Sequence, residues 1–150
     1  VYYNHTATSS RRGYVDLPGT PLWPFGYGLS YTKFEYDKLE ISPARIRPDG
    51  EVQVAMQVTN TGNRAGQEVV QLYVNDLLSS ASRPVLELRG FEKVSLQPGE
   101  RRRVRFTLTP EDLSYFDAEM RRVVEPGSFE VLAGASAADI RLKGSFDVVE

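Results

Sequence analysis

From Phe34 onward, hydrophobic and polar residues alternate along most of the chain. Residues 51–60 place Val52, Val54, Met56 and Val58 at every second position. A period of two marks a strand with one buried face. Turn residues at 59–62 close it. Residues 69–74 set Val70, Leu72 and Val74 on one face and Val69, Gln71 and Tyr73 on the other. Residues 86–96 hold a further strand region, interrupted at Gly90, and Gln97-Pro98-Gly99-Glu100 ends it as a turn. Residues 102–108 alternate Val104, Phe106 and Leu108 with Arg103, Arg105 and Thr107. Residues 129–133 do the same with Phe129, Val131 and Ala133, entered from Pro126-Gly127. Residues 140–148 follow with Ile140, Leu142, Phe146 and Val148, and Gly144 falls in register. Residues 34–41 supply the first strand. No segment sustains an apolar period of 3.6. A single helical turn is predicted at 110–114, with Thr109 as N-cap and Pro110 in the first position.

Seven strands result, spaced roughly ten residues apart, which is the spacing of an all-β sandwich. The expected fold is a seven-stranded antiparallel sandwich, immunoglobulin-like or fibronectin type III-like. Its core follows from the strand faces: Val52, Val54, Met56, Val58, Val70, Leu72, Val104, Phe106, Leu108, Phe129, Val131, Ile140, Leu142 and Phe146. No internal repeat and no low-complexity tract interrupts the pattern.

Residues 1–33 read differently. Nine of the 16 aromatic residues lie before residue 37: Tyr2, Tyr3, Tyr14, Trp23, Phe25, Tyr27, Tyr31, Phe34 and Tyr36. Pro18, Pro21 and Pro24 and several glycines are interleaved with them, which excludes regular helix or central strand. A disordered linker would be poor in aromatics. The chain therefore divides into an irregular aromatic arm, 1–33, and a sandwich domain, 34–150. Each buried aromatic removes roughly 150–250 Å² from water. Trp23, Phe25, Tyr27 and Tyr31 together are too much apolar surface to leave open on a monomer. The arm is expected to pack on the domain that follows, or on a partner surface.

Composition narrows the function. The 150 residues carry 18 Lys plus Arg, 20 Asp plus Glu and a net charge of −2. That balance lacks the basic excess of a nucleic-acid or anionic-membrane binder. No apolar run approaches the roughly 18 residues of a membrane span. With no Cys there is neither a disulfide nor a thiolate metal site. Cytoplasm, periplasm and secretion all remain compatible with this. The start, Val1-Tyr2-Tyr3-Asn4-His5, reads as a cut rather than a natural beginning, and no signal peptide is recognised.

Candidate chemistry is sparse. The single His, His5, lies in the arm and would have to serve any Ser-His-Asp triad. Zinc sites seldom use mostly carboxylates, so no metal site is expected. Gly26-Tyr27-Gly28 begins like a dinucleotide fingerprint, but Tyr31 stands where the third Gly belongs and no βαβ unit surrounds it. Paired carboxylates drive glycoside hydrolysis. Glu68, Asp76, Glu87, Glu92, Glu111, Asp112, Asp117, Glu119, Glu125 and Asp139 are available, but none has a neighbourhood that singles it out. Arg101-Arg102-Arg103 and Arg105 read as a solvated strand face, which discourages edge pairing. Asn4-His5-Thr6 is a formal glycosylation sequon of little weight. Trp23, Phe25, Tyr27 and Tyr31 are the candidate contact residues, to a neighbouring domain or to a sugar ring. No catalytic, cofactor or metal residue is expected in this chain.

The run Pro21-Leu22-Trp23-Pro24-Phe25-Gly26-Tyr27-Gly28-Leu29-Ser30-Tyr31-Thr32-Lys33-Phe34-Glu35-Tyr36 resembles the junction in glycoside hydrolase family 3 between the α/β sandwich domain and a C-terminal fibronectin type III-like domain. The resemblance continues through residues 58–74 and 83–94, then Leu96 and 98–100, 112–117, 125–131 and 134–136, in family order over about residues 14–148. It implies a parent enzyme of β-glucosidase or β-xylosidase type, acting by retention. Its nucleophile and acid/base residue would lie in domains outside this chain. The implied role is a non-catalytic stabilising module, with the catalytic domains of the same parent chain as partners. Two other expectations are a carbohydrate-binding module using the arm aromatics, and a homodimer formed through the arm.

Overall fold

The structure is a computed structural model that describes residues 21–77 and 86–150. Tyr2, Tyr3, Asn4, His5, Thr6, Tyr14 and the block Arg83-Pro84-Val85 lie outside the described residues.

Ten strands and one helical turn follow in chain order: β1 Phe34–Ser42, β2 Arg45–Ile46, β3 Val52–Asn60, β4 Gly66–Asp76, β5 Glu87–Leu96, β6 Arg101–Leu108, α1 Pro110–Leu113, β7 Tyr115–Phe116, β8 Arg122–Val123, β9 Gly127–Ser136 and β10 Asp139–Val148. The seven expected strands are all present. The three additional ones, β2, β7 and β8, are two residues each, too short to show a period in sequence. Gly90 does not break its strand. β5 runs through it, with a register shift opposite Leu72/Tyr73.

A three-stranded sheet of order β1-β3-β6 packs against a five-stranded sheet of order β2-β10-β9-β4-β5, and β7-β8 form a separate hairpin. All pairings are antiparallel except β10 with β2, which is parallel and departs from the expected purely antiparallel arrangement. The alternation places Val52, Val54, Met56 and Val58 of β3 against Val70 and Leu72 of β4, with Val104, Leu108, Phe129, Val131 and Phe146 completing the core. Phe129 and Phe146 stack with ring centroids 5.5 Å apart. The helical turn is capped as the sequence implies. The Thr109 N–H donates to Asp112 Oδ2 at 2.8 Å, and Leu113 is buried beneath it.

Three of the expected core residues are only partly buried: Phe106, Ile140 and Leu142. Phe106 sits on an edge strand, where its ring lies against Gly90 of β5 in the facing sheet, which has no side chain to cover it. Register shifts at Asp139/Ile140 and Ile140/Leu142 break the strict alternation of β10. Conversely, β4 is buried on both faces over Gln71–Val74. Gln71 is covered because β4 is an inner strand and the arm's Gly26 closes on its outer side.

Candidate functional site

The arm is held by its backbone. Pro24-Phe25-Gly26-Tyr27 forms a turn in which the Tyr27 N–H donates to the Pro24 carbonyl at 3.0 Å. Gly26 has φ +77°, the value that the third position of a type II turn requires. The turn then binds the sheet. The Ala137 N–H donates to the Phe25 carbonyl at 2.9 Å, and Gln71 Nε2 donates to the Gly26 carbonyl at 3.0 Å. A Cβ on Gly26 would lie 2.0 Å from Gln71 Oε1, so only glycine permits this approach. Gln71 is itself fixed, with Nε2 also donating to the Ala135 carbonyl and Oε1 accepting from the Tyr73 hydroxyl. Burial pushes the Tyr73 hydroxyl up to about 12.

The second anchor is Asn60, fully buried at the end of β3. Its Oδ1 accepts from Thr32 Oγ1 at 2.7 Å and from the Gly62 N–H at 3.1 Å. Its Nδ2 donates to the carbonyls of Arg64 and Leu96 at 2.8 and 3.0 Å. The Lys33 carbonyl accepts from the Thr61 N–H at 2.9 Å. Thr32 reaches Asn60 because Gly62 and Gly66 have no side chain. A Cβ on either would come within 2.1 or 2.5 Å of Thr32 atoms.

These anchors spend the arm's backbone and leave its rings outside. Trp23 is 62% exposed, Phe25 47%, Tyr27 44% and Tyr31 93%. Trp23 and Tyr27 lie 4.8 Å apart between ring centroids, tilted by 39°. Of the four candidate contact residues, Trp23 and Tyr27 are thus brought together, and Phe25 stands beside them on the same turn. Tyr31 projects separately.

A groove of about 760 Å³ separates the arm from the five-stranded sheet. Phe25, Tyr27 and Leu29 line its arm side, and Val69, Leu88 and Phe91 line its sheet side. Its polar end holds Glu68, Asp139 and Arg141. The Tyr36 hydroxyl donates to Glu68 Oε1 at 2.8 Å, and Arg141 lies 3.6 Å from the same oxygen. Arg141 also pairs with Asp139 at 2.7 Å, donates to the Phe34 carbonyl at 3.1 Å, and stacks over the Tyr36 ring at 4.7 Å. Burial raises the Glu68 carboxyl above its ordinary range, against the lowering pull of the Tyr36 hydrogen bond and Arg141. Burial, then the Glu68 charge, pushes Tyr36 up strongly. The Arg141 hydrogen bond holds Asp139 below the usual carboxylate range. The cluster is internally satisfied. It ties β1, β4 and β10 together where the two sheets separate.

Two of the ten candidate acids, Glu68 and Asp139, thus share one cluster through Arg141. Glu111 pairs with Arg122 on the surface, and Asp117 and Glu119 pair with Arg121. Asn60, Thr32, Tyr36 and Arg141 were not singled out by the sequence pattern. The available signal was an Asn followed two residues later by Gly at a strand end, where a short polar side chain folds back on a turn. Among the described residues no helix is long and apolar enough to cross a membrane.

Two packed sheets define a β-sandwich. Residues 68–137 match the fibronectin type III-like domain, and the fold is of that kind. The resemblance to glycoside hydrolase family 3 extends over nearly the whole chain. A periplasmic β-glucosidase of Salmonella typhimurium is 41% identical over 161 residues, covering 99% of this chain and 21% of the relative. β-Glucosidase BoGH3A of Bacteroides ovatus is 47% identical over 131 residues, covering 87% of this chain and 18% of the relative. The solved β-glucosidase of Erythrobacter marinus superposes with a TM-score of 0.91 at 44% identity, over 99% of this chain and 20% of that one. The chain spans about a fifth of the length of these relatives.

Proposed function

We propose that this chain is a non-catalytic stabilising module of a longer β-glycosidase. Residues 1–33 are its linker and the tail of a preceding domain, and 34–150 its sandwich. The arm aromatics Trp23, Phe25, Tyr27 and Tyr31 contact the catalytic domains of the same chain. The observation that carries this reading is the arm's division of labour. Its backbone is bonded to the sandwich while Trp23 and Tyr31 stay largely exposed and Phe25 and Tyr27 about half exposed. Residues fixed in that way present a preformed apolar surface, and apolar surface of this kind marks an interface. The relatives' β-glucosidase names support terminal β-glycosides as the substrate class of that longer protein.

The test uses both the isolated chain and the longer protein. The isolated chain is expected to give no hydrolysis of aryl β-glucosides or β-xylosides above background. In the longer protein, Trp23→Ala with Tyr31→Ala is expected to lower the unfolding temperature, while the same pair leaves the isolated chain's unfolding unchanged. Turnover by the isolated chain, or unaltered unfolding of the longer variant, overturns the reading. A sugar-stacking platform is less well served, because such a platform needs coplanar rings and the Trp23–Tyr27 pair is tilted by 39°.

A further inference from the structure

The outward face of the small sheet is an ordered array of charge. Register aligns Glu35 of β1 with Thr59 of β3, and Thr59 with Arg101 of β6. The next row reads Asp37, Gln57, Arg103, and the third reads Glu40, Ala55, Arg105. These three rows run acid, neutral, base, and the fourth, Ser42, Gln53, Thr107, is uncharged, so the acids form one column on the β1 edge and the arginines another on the β6 edge. Adjacent strands lie about 4.8 Å apart, which sets the two columns roughly 9–10 Å from each other. One pair, Arg103 with Glu40, spans that gap within the chain, crossing above the small side chain of Ala55. Glu35, Asp37, Arg101 and Arg105 are exposed, and no ion pair joins any of them to another described residue.

We propose that this face binds a second copy of the chain, column on column. Consider a two-fold axis lying between two such faces and parallel to β3. It leaves position along the strand unchanged and exchanges the two edges. Glu35 then faces Arg101 of the second copy, Asp37 faces Arg103, and Glu40 faces Arg105, with each contact repeated by symmetry. A two-fold axis perpendicular to the strands would stack acids on acids, so the array selects one orientation. The strands of the two copies run parallel, the aligned packing of face-to-face sheets. At the axis the middle strand meets itself through Gln53, Ala55, Gln57 and Thr59, where no like charges approach. The occupant that matches such a pattern in every row is the pattern itself, inverted.

Size sets the strength. Three strands of about eight residues cover roughly 350 Å², under half of the ~800 Å² a partner contributes to a standard interface. The association is therefore weak and carried by exposed charges, which salt screens. None of its residues belongs to the arm, so it stands apart from the interface proposed above.

Sedimentation velocity on the 150-residue chain tests this, from about 10 μM to about 1 mM, in about 20 mM and about 500 mM salt. The weight-average mass is expected to climb towards the dimer at low salt and to stay monomeric at high salt. Two charge-reversed chains provide the orientation test: R101E/R103E/R105E, and E35K/D37K/E40K. Each alone is expected to remain monomeric, and their equimolar mixture to regain association, because an all-acid face meets an all-basic one. If a triple variant fails to fold by circular dichroism, Arg103→Glu and Asp37→Lys repeat the test, since those two residues face each other. A wild-type chain that stays monomeric throughout overturns the proposal. So does association that persists in either variant alone, or a mixture that does not associate.

Discussion

The Thr32 hydroxyl donates to Asn60 Oδ1 at 2.7 Å, and this contact joins the arm to a side chain with no exposure to solvent. Asn60 makes four side-chain hydrogen bonds, to Thr32, Gly62, Arg64 and Leu96, so it ties the arm and two loops to one point. Asn60→Ala would leave several of these groups without a partner in a buried setting. The expected cost is about 2–4 kcal/mol. Thr32→Val keeps the methyl that packs at Gly66 and removes one hydroxyl donor, while Gly62 still donates to Asn60. Its expected cost is about 1 kcal/mol. Urea unfolding of the two variants checks the order, and a Thr32→Val loss equal to or above that of Asn60→Ala would sink this account.

The strands were legible because each has one face that must be dry. Val52 to Val58 alternate in sequence as they alternate in space. The exceptions have local causes. Gln71 and Tyr73 occupy outward positions on an inner strand yet are buried, and the arm's Gly26 closes on Gln71, which alternation cannot report. Arg141 leaves the solvent side because register shifts around Ile140 redirect β10, and a bulge leaves no mark in a period-two count. The arm's aromatics do not report how it is attached, since Trp23, Phe25, Tyr27 and Tyr31 all stay exposed. Its attachment depends on carbonyls of Phe25, Gly26 and Lys33, groups that every residue carries and no composition reveals. Gly26, Gly62 and Gly66 were the visible traces of that attachment. What they admit, a close approach by Gln71 or Thr32, becomes definite only when the chain is folded.

Two phenylalanines from expected core positions should now behave differently. Phe129 is fully buried and stacked on Phe146. Phe129→Ala is expected to cost about 3–5 kcal/mol, the range for a buried aromatic that leaves a cavity. Phe106 is partly exposed at the sheet edge, so Phe106→Ala is expected to cost about 1–2 kcal/mol, in proportion to the smaller area it removes from water. Gly90→Ala adds a complementary test. The new methyl would sit 2.9 Å from Phe106 Cδ1, forcing the ring outward. Gly90→Ala should destabilise the wild-type chain and do less harm in the Phe106→Ala background, where the clash is gone. Equal costs in the two backgrounds would disprove the contact.

The carboxyl of Glu68 should give the fold a pH dependence opposite to that of an ordinary surface acid. Burial is the largest influence on it and raises its affinity for a proton, despite the Tyr36 hydrogen bond and Arg141. A group that holds its proton more tightly when folded contributes stability in full below its ordinary value of 4.5, and that contribution is lost as pH rises through the folded value. Asp139 behaves in the reverse sense. Its hydrogen bond to Arg141 lowers its proton affinity, so its contribution is present above the ordinary value of 3.8 and lost as pH falls. Glu68→Gln isolates the first effect. It keeps an acceptor for the Tyr36 hydroxyl and a side chain of the same size, but has nothing to ionise. The stability of Glu68→Gln relative to wild type is expected to increase from about pH 4 to about pH 8, because only wild type must then bury a charge. Asp139→Asn should change in the other direction, losing its deficit relative to wild type as the pH drops below the ordinary aspartate range. Urea midpoints measured at steps from about pH 2 to about pH 8 supply both differences. A Glu68→Gln difference that is flat, or that falls with rising pH, would mean that Arg141 and Tyr36 outweigh burial at this carboxylate.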